Sequence, residues 1–416
     1  MEFGDPTQFK VDKIEIDGKD VSSLFISIDI YENIFSGGVT GNIALYETDA
    51  VKFIEDNDIQ FIEPISLQFM NANEEEFIFD GVINGYQDNT TIGQKRVYIL
   101  DFISKTVRKN EMVFVTKPFD NAKPNDIAQD MSDVLESQNI DIKGEGEPLT
   151  FLPPNMKPLD VMRYVIDHGI TQKSKVSNSS TRKQEASGTT GFCFWETLDG
   201  YRFCPVDDLW DGAFEEWDDF ENTLANRSHS MDKLMKNIMT FDFPSLGNFQ
   251  QKLRSGTISS KQYSFDIDTG LFSAVEYKAD ESVASEKQSK EVKGFTRILH
   301  KLYSPELYQR NCKKAPPNVW DQSRRSTQQT LARQNSFADQ HGRIVLPPRY
   351  KIRAGDTINI KINKVTPDDS PGGYDQKSSG KYIVKQVGHH FNMNGKSYTK
   401  LAIMRSLTQQ NESNTL

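Results

Sequence analysis

The chain has 416 residues, a formal charge of −10, 36% hydrophobic and 11% aromatic residues. At roughly 150 residues per domain this predicts about three domains with packed cores and excludes wholesale disorder. The charge excludes a uniformly basic nucleic-acid binder, and no window approaches the roughly 18 apolar residues of a membrane-spanning helix.

The charge is unevenly spread. Residues 1–110 carry 9 basic and 20 acidic side chains and 111–240 carry 13 and 23, whereas 241–340 carry 15 and 11 and 341–416 carry 12 and 5. An acidic first half and a basic second half point to oriented contacts with partners. The opening Met-Glu-Phe-Gly-Asp-Pro has neither a basic n-region nor an apolar h-region, which predicts synthesis without a secretory leader. Cys193, Cys204 and Cys312 are too few for a disulfide framework or a zinc site, and reduced thiols are expected.

In chain order, residues 1–110 read as antiparallel sheet. Ile26, Ile28 and Ile30 fall on one face of a strand. Val39–Tyr46, Ile65–Phe69, Phe77–Tyr86 and Lys95–Ser104 alternate in the same way, separated by turn signals such as Asp17-Gly18. Around residue 111 the period changes: Pro124 opens a helix carrying Ile127, Met131, Val134 and Leu135, and Pro158 opens another carrying Leu159, Met162, Val165 and Ile166 that stops at Gly169. Gln172–Gly191 is polar and predicts an exposed, mobile loop. Phe192–Phe203 predicts an aromatic hairpin turning at Asp199-Gly200, a register that sets Cys204 opposite Trp195. Strands follow at Asn237–Phe243 and Lys261–Tyr277, a helical run at Gln322–Gln340, and four closing strands at Arg343–Leu346, Thr357–Ile362, Lys381–Val387 and Tyr398–Arg405. The class is mainly β, with α+β accessory domains.

Catalytic constellations are absent from this pattern. The six histidines include no helical metal-ligand pair, and His389-His390 in a strand point to opposite faces. Ser36–Gly41 is neither a phosphate loop nor a dinucleotide fingerprint, and no nucleophile elbow occurs. The sequence therefore predicts no enzyme, no catalytic residue, no cofactor and no metal.

Two stretches carry a resemblance. Tyr31–Asp49 (Tyr-Glu-Asn-Ile-Phe-Ser-Gly-Gly-Val-Thr-Gly-Asn) resembles the opening barrel of baseplate central hub proteins of contractile-tailed phages. The C-terminal run Arg343–Pro348, Ala354–Ile358 and Ser379–Val384, with His389 and Tyr398, is similar to the same hubs, T-even-like ones above all. The resemblance implies two tail-tube-like antiparallel β-barrels, the second split by an insertion, plus a small helical domain. Mapped onto the chain, these are a first barrel over 1–110 and an α/β accessory domain over 111–191 with the mobile loop 172–191. The second barrel takes 192–243 and 335–407, an inserted domain 244–334, and a tail 408–416.

It further implies a structural homotrimer in a virion baseplate, assembled in the host cytoplasm, that adapts a sixfold tail tube to a threefold central spike. The implied partners are the spike, tube or tube-initiator proteins and baseplate wedge proteins, with DNA only in transit and no integral membrane association. The hub of a simpler contractile injection or type VI-like system, or a tail-associated cell-wall hydrolase, are the alternatives. Ring contacts need two complementary faces per chain, for which Phe35, Trp210, Trp217 and Trp320 are the candidate aromatics. Part of the N-terminal acidic excess is expected to line the channel.

Overall fold

A computed structural model describes residues 5–405 apart from 49–52, 93–94, 170, 172–174, 177–185, 188–190, 223–229, 247–248, 268–269, 271, 280–283, 304–327, 329–330, 333–334, 336–339, 365–372 and 376. Cys312, Trp320, the tail 408–416 and most of the predicted 172–191 loop and 322–340 helix lie outside the described residues. Within the loop segment, Lys175–Val176 pairs with Ala186–Ser187.

Alternating apolar residues build one sheet of thirteen strands among the described residues. From one edge its order is Lys19–Asp20, Phe9–Ile16, Pro64–Asn71, Glu76–Ile92, Lys95–Ser104, Thr40–Thr48, Phe25–Asn33, Gly380–Asn392, Lys396–Arg405, Gln340–Leu346 and Thr240–Leu246. Thr357–Lys361 pairs the first residues of Gly380–Asn392, and Glu216–Glu221 lies parallel to Thr357–Lys361. The class is therefore mainly β, as the sequence predicts.

Two curved halves share one long C-terminal hairpin. Gly380–Ile383 pairs with Thr357–Ile360 in the second half, and Gln386–Asn392 pairs with Ser27–Asn33 in the first. The change of partner falls at Lys385, where a bulge opposite Lys396–Arg405 bends the strand. Among the described residues neither half closes by a full ladder. The first meets itself where Ser397 N–H donates to Thr7 O at 2.8 Å and Phe9 N–H to Gly395 O at 3.3 Å. The second does so where Ile238 N–H donates to Glu221 O at 3.0 Å. The expected barrels are thus open barrels, each sealed at one isolated bridge.

Each open barrel wraps its own core. The first is aromatic and is plugged from the far end of the chain: Phe391 stacks on Phe69 at 4.1 Å and meets Phe77 at 5.1 Å, with Tyr350 5.5 Å from Phe77. The inward row of the Phe25–Asn33 strand holds from Ile28 onward, but a bulge between Phe25 and Ser27 turns Phe25 inward in place of Ile26. The second core is largely aliphatic, drawn from Ile344, Ile358, Ile360, Val384, Leu401 and Ile403 around Trp195.

A third core joins the helices Pro124–Val134 and Pro158–His168 through Ile127, Met131, Val161, Met162 and Val165. Leu159, Val134 and Ile166 sit at its partly buried margin. The aromatic hairpin, Phe192–Thr197 and Gly200–Pro205, does not join the large sheet; it forms its own with Ile140–Ile142. One face, Phe192, Phe194, Tyr201 and Phe203, covers the helical core, and the other, Cys193, Trp195 and Cys204, enters the second barrel's core.

The hairpin register differs from expectation. The turn residues are Leu198 and Asp199, so Thr197 pairs Gly200 and Cys193 faces Cys204. Gly200 has φ +117°, and a Cβ there would sit 2.3 Å from Asn139 O, so glycine is required beside that backbone rather than inside the turn. Both thiols are free, and burial pushes Cys193 up to about 12.

The inserted region contributes a three-stranded sheet in which Ser259–Asp266 runs between antiparallel Phe272–Lys278 and parallel Arg297–Tyr303.

Candidate assembly site

The polar groups that matter most in this fold lie where its parts meet. Glu32 reaches from the first barrel's Phe25–Asn33 strand into an environment where it is only 1% exposed. Its Oε1 accepts from Leu198 N–H and its Oε2 from Ala354 N–H, both at 2.9 Å, with Arg353 Nε 3.8 Å away. Burial pushes the Glu32 carboxyl above the usual range against the opposing pull of Arg353. Arg353 donates from Nε and Nη2 to both Asp199 oxygens at 2.7 and 2.8 Å, a two-point grip that fixes the hairpin turn. Asp356 accepts from Arg202 Nη1 at 2.7 Å and from Trp217 Nε1 at 2.9 Å. Four chain segments distant in sequence are pinned through this one network.

A second buried carboxylate acts beside it. Glu196 Oε2 accepts from Val39 N–H at 2.9 Å and from Ser104 Oγ at 2.5 Å, while Oε1 accepts from the Thr106 hydroxyl. Burial pushes its carboxyl up. A cleft of about 450 Å³ opens here, lined among others by Ser104, Lys105, Glu136, Glu196 and Arg353. Its buried carboxylate is held by three donors from the first barrel, an arrangement that ties the hairpin to that barrel. Among the described residues no group of three or more His, Cys, Asp or Glu could hold a metal ion.

The two adjacent histidines diverge as strand geometry demands. His389 is buried against Phe77 and Tyr350, and burial pushes its imidazole down to about 3. His390 lies on the other face, Nδ1 2.8 Å from Asp29 Oδ1.

The four candidate aromatics are not brought together. Phe35 is 61% exposed after the Phe25–Asn33 strand, with Lys385 Nζ 5.7 Å from its ring. Trp217 is half-buried at the margin of the second core, its indole N–H committed to Asp356 and Arg349 lying 5.4 Å over its ring. Trp210 ends the Val206–Trp210 helix, and its side chain, like the whole of Trp320, lies outside the described residues.

Sequence reasoning missed the exposed apolar face of the inserted sheet. Phe272 is 75% and Leu302 70% exposed, with Ile298 half-exposed beside them. The alternation Lys261, Tyr263, Phe265 was visible in the sequence, but nothing there said which face would be covered.

No protein-family model matches the chain, and no curated protein matches it in sequence. Solved structures do match. A tail protein from Neisseria meningitidis superposes with a TM-score of 0.55 at 9% identity, over 96% of this chain and 97% of that one. A 43 kDa tail protein of prophage MuSo2 from Shewanella oneidensis does so with a TM-score of 0.55 at 9% identity, over 96% and 98%. The chain thus has the fold of phage-tail proteins along nearly its whole length.

Proposed function

We propose that this chain is a structural subunit of a phage tail baseplate, the central hub, in which three copies form a ring around an axial channel. The observation that carries the reading is the pair of open barrels fused through one shared hairpin. Two tube-like modules per chain, taken three times, present six to a sixfold tube while the ring itself keeps the threefold symmetry of a spike. A rigid junction suits that task, because a hub transmits force between tube and spike. The buried Glu32, Arg353 and Asp356 network keeps the two modules from hinging independently.

The partners on this reading are a central spike, tube or tube-initiator proteins and baseplate wedge proteins, in a virion tail. DNA passes through the channel without being held, and the acidic excess of residues 1–240 supplies like charge toward it. No helix among the described residues is long and apolar enough to cross a membrane. The chain acts as a scaffold rather than an enzyme.

Electron microscopy of the purified protein tests the proposal. Ring particles with threefold symmetry and an axial opening are expected. Compact monomers, also in the presence of a spike protein, would overturn it, and release of soluble fragments from peptidoglycan would favour the hydrolase instead.

A further inference from the structure

Residues 347–356 join Gln340–Leu346 to Thr357–Lys361 without belonging to a strand or helix, yet all of them except Lys351 are buried. A buried irregular segment has no ladder to satisfy its backbone, so other groups must do so. Here first-barrel side chains do it at two separate places. At one end, Asn71 Nδ2 donates to Pro348 O at 2.7 Å and Glu75 Oε2 accepts from Tyr350 N–H at 2.9 Å. At the other, Glu32 Oε2 accepts from Ala354 N–H, and Ala354 O in turn accepts from Trp195 Nε1 at 3.0 Å. Between the two ends the segment changes sides: Tyr350 fills the first core, Ile352 and Ala354 the second.

Arg349 spans the same boundary with its charge. Its Nε lies 3.4 Å from Glu75 Oε1 of the first barrel, and its guanidinium lies over two rings of the second, Trp217 at 5.4 Å and Phe220 at 5.9 Å. Glu75 and Arg349 are both buried, so removing either leaves the other charge uncompensated. The sheet is less rigid at this level. The hairpin of Gly380–Asn392 and Lys396–Arg405 that carries it from one barrel to the other is bulged at Lys385, where the partner strand changes. A bulge interrupts the ladder and bends the strand, so rotation between the barrels would concentrate there.

We infer that residues 347–356 are a strap that fixes the angle between the two barrels about a pivot at Lys385, with Glu75 as the positioning residue of its first-barrel end. Glu75 acts through Tyr350 and Arg349. Glu32 holds only the far end, beyond the point where the strap crosses between cores, so release of Glu75 loosens the angle while both sheets keep their own ladders. This is a property of the single chain and does not depend on three copies forming a ring.

The test measures the angle directly, with the full chain and two variants, Glu75→Ala and Arg349→Met. Nitroxides attached through ketone side chains at two exposed positions, Lys10 in the first barrel and Asp218 in the second, report the distance between barrels by double electron–electron resonance. Amide hydrogen exchange of Phe25–Asn33 and Lys396–Arg405 reports whether the sheet is intact. The parent should give one narrow distance. Glu75→Ala should broaden it with the sheet amides still protected, and Arg349→Met, which leaves Glu75 on Tyr350 N–H, should broaden it less. If Glu75→Ala fails to fold, Arg349→Met alone decides. A folded variant that keeps the narrow distance of the parent would overturn the strap, because Glu75 would then serve stability without setting the angle. Loss of sheet protection in both variants would overturn it too, since no angle would be separable from the fold.

Discussion

The first open barrel and the inserted sheet use the same residue types to opposite ends. In the barrel, Phe69, Phe77 and Phe391 point inward and polar residues outward; in the inserted sheet, Ser260, Gln262 and Ser264 are buried while Phe272 and Leu302 face solvent. The barrel is finished by its own chain, down to a plug supplied from residue 391. The inserted sheet buries Tyr277 on its inner face and leaves Phe272, Ile298 and Leu302 exposed on its outer one. The contrast teaches that alternation on a strand says which residues share a face, while tertiary packing decides which face is covered.

Substitutions at matched residues should separate the two regions. Phe391→Ala removes the centre of the aromatic cluster and should cost about 3–5 kcal/mol. Because that residue is delivered by the hairpin shared with the second barrel, calorimetry should show one lowered transition; two separated transitions would mean the barrels fold independently. Arg353→Met leaves Glu32 buried without its cation and should cost a comparable or slightly smaller amount, about 3 kcal/mol, read by urea unfolding. A loss below about 1 kcal/mol would show that the two backbone N–H groups suffice for Glu32.

The next effect is a pH dependence. His389 stays neutral in the fold down to about 3, whereas an unfolded histidine takes up a proton near 6.5. Between those values the unfolded state binds more protons, so stability should rise with pH across the window, by at most about 1.4 kcal/mol per unit. His389→Leu should flatten that segment of the stability profile, and an unchanged slope would assign the acid sensitivity elsewhere. Smallest is Phe272→Ser, within about 0.5 kcal/mol of the parent because the side chain is exposed. A thermal melt showing a drop like that of Phe391→Ala would place Phe272 in a core and erase the contrast.

Much of the sheet was legible from alternation alone: Lys95–Ser104 is found as read, three of the four closing strands extend the expected ones by two to six residues, and the fourth, Thr357–Lys361, ends one residue short. The shared hairpin was not, since its pairing of residues 386–392 with 27–33 is decided by packing between chain ends. Glu216–Glu221 escaped notice because it is acidic and a bulge between Trp217 and Phe220 breaks its alternation. The two Asp-Gly signals show the limit of local rules. Asp17-Gly18 takes positive φ at both residues and turns the chain as the dipeptide predicts. Asp199-Gly200 is displaced by one residue, with Asp199 gripped by Arg353 and Gly200 pressed against Asn139.

Of the candidate aromatics, Phe35 is exposed, while Trp217 donates its indole N–H to Asp356. The junction residues Glu32, Arg353 and Asp356 carried no local signal. A charged residue in a strand or turn reads as solvated until its distant partner is known.

Sedimentation equilibrium of the full chain bears most directly on the hub assignment. Three copies in a ring require a species of three times 47.4 kDa that persists on dilution to low micromolar concentration. A single chain of 47.4 kDa at every concentration, with and without a spike protein, would contradict it.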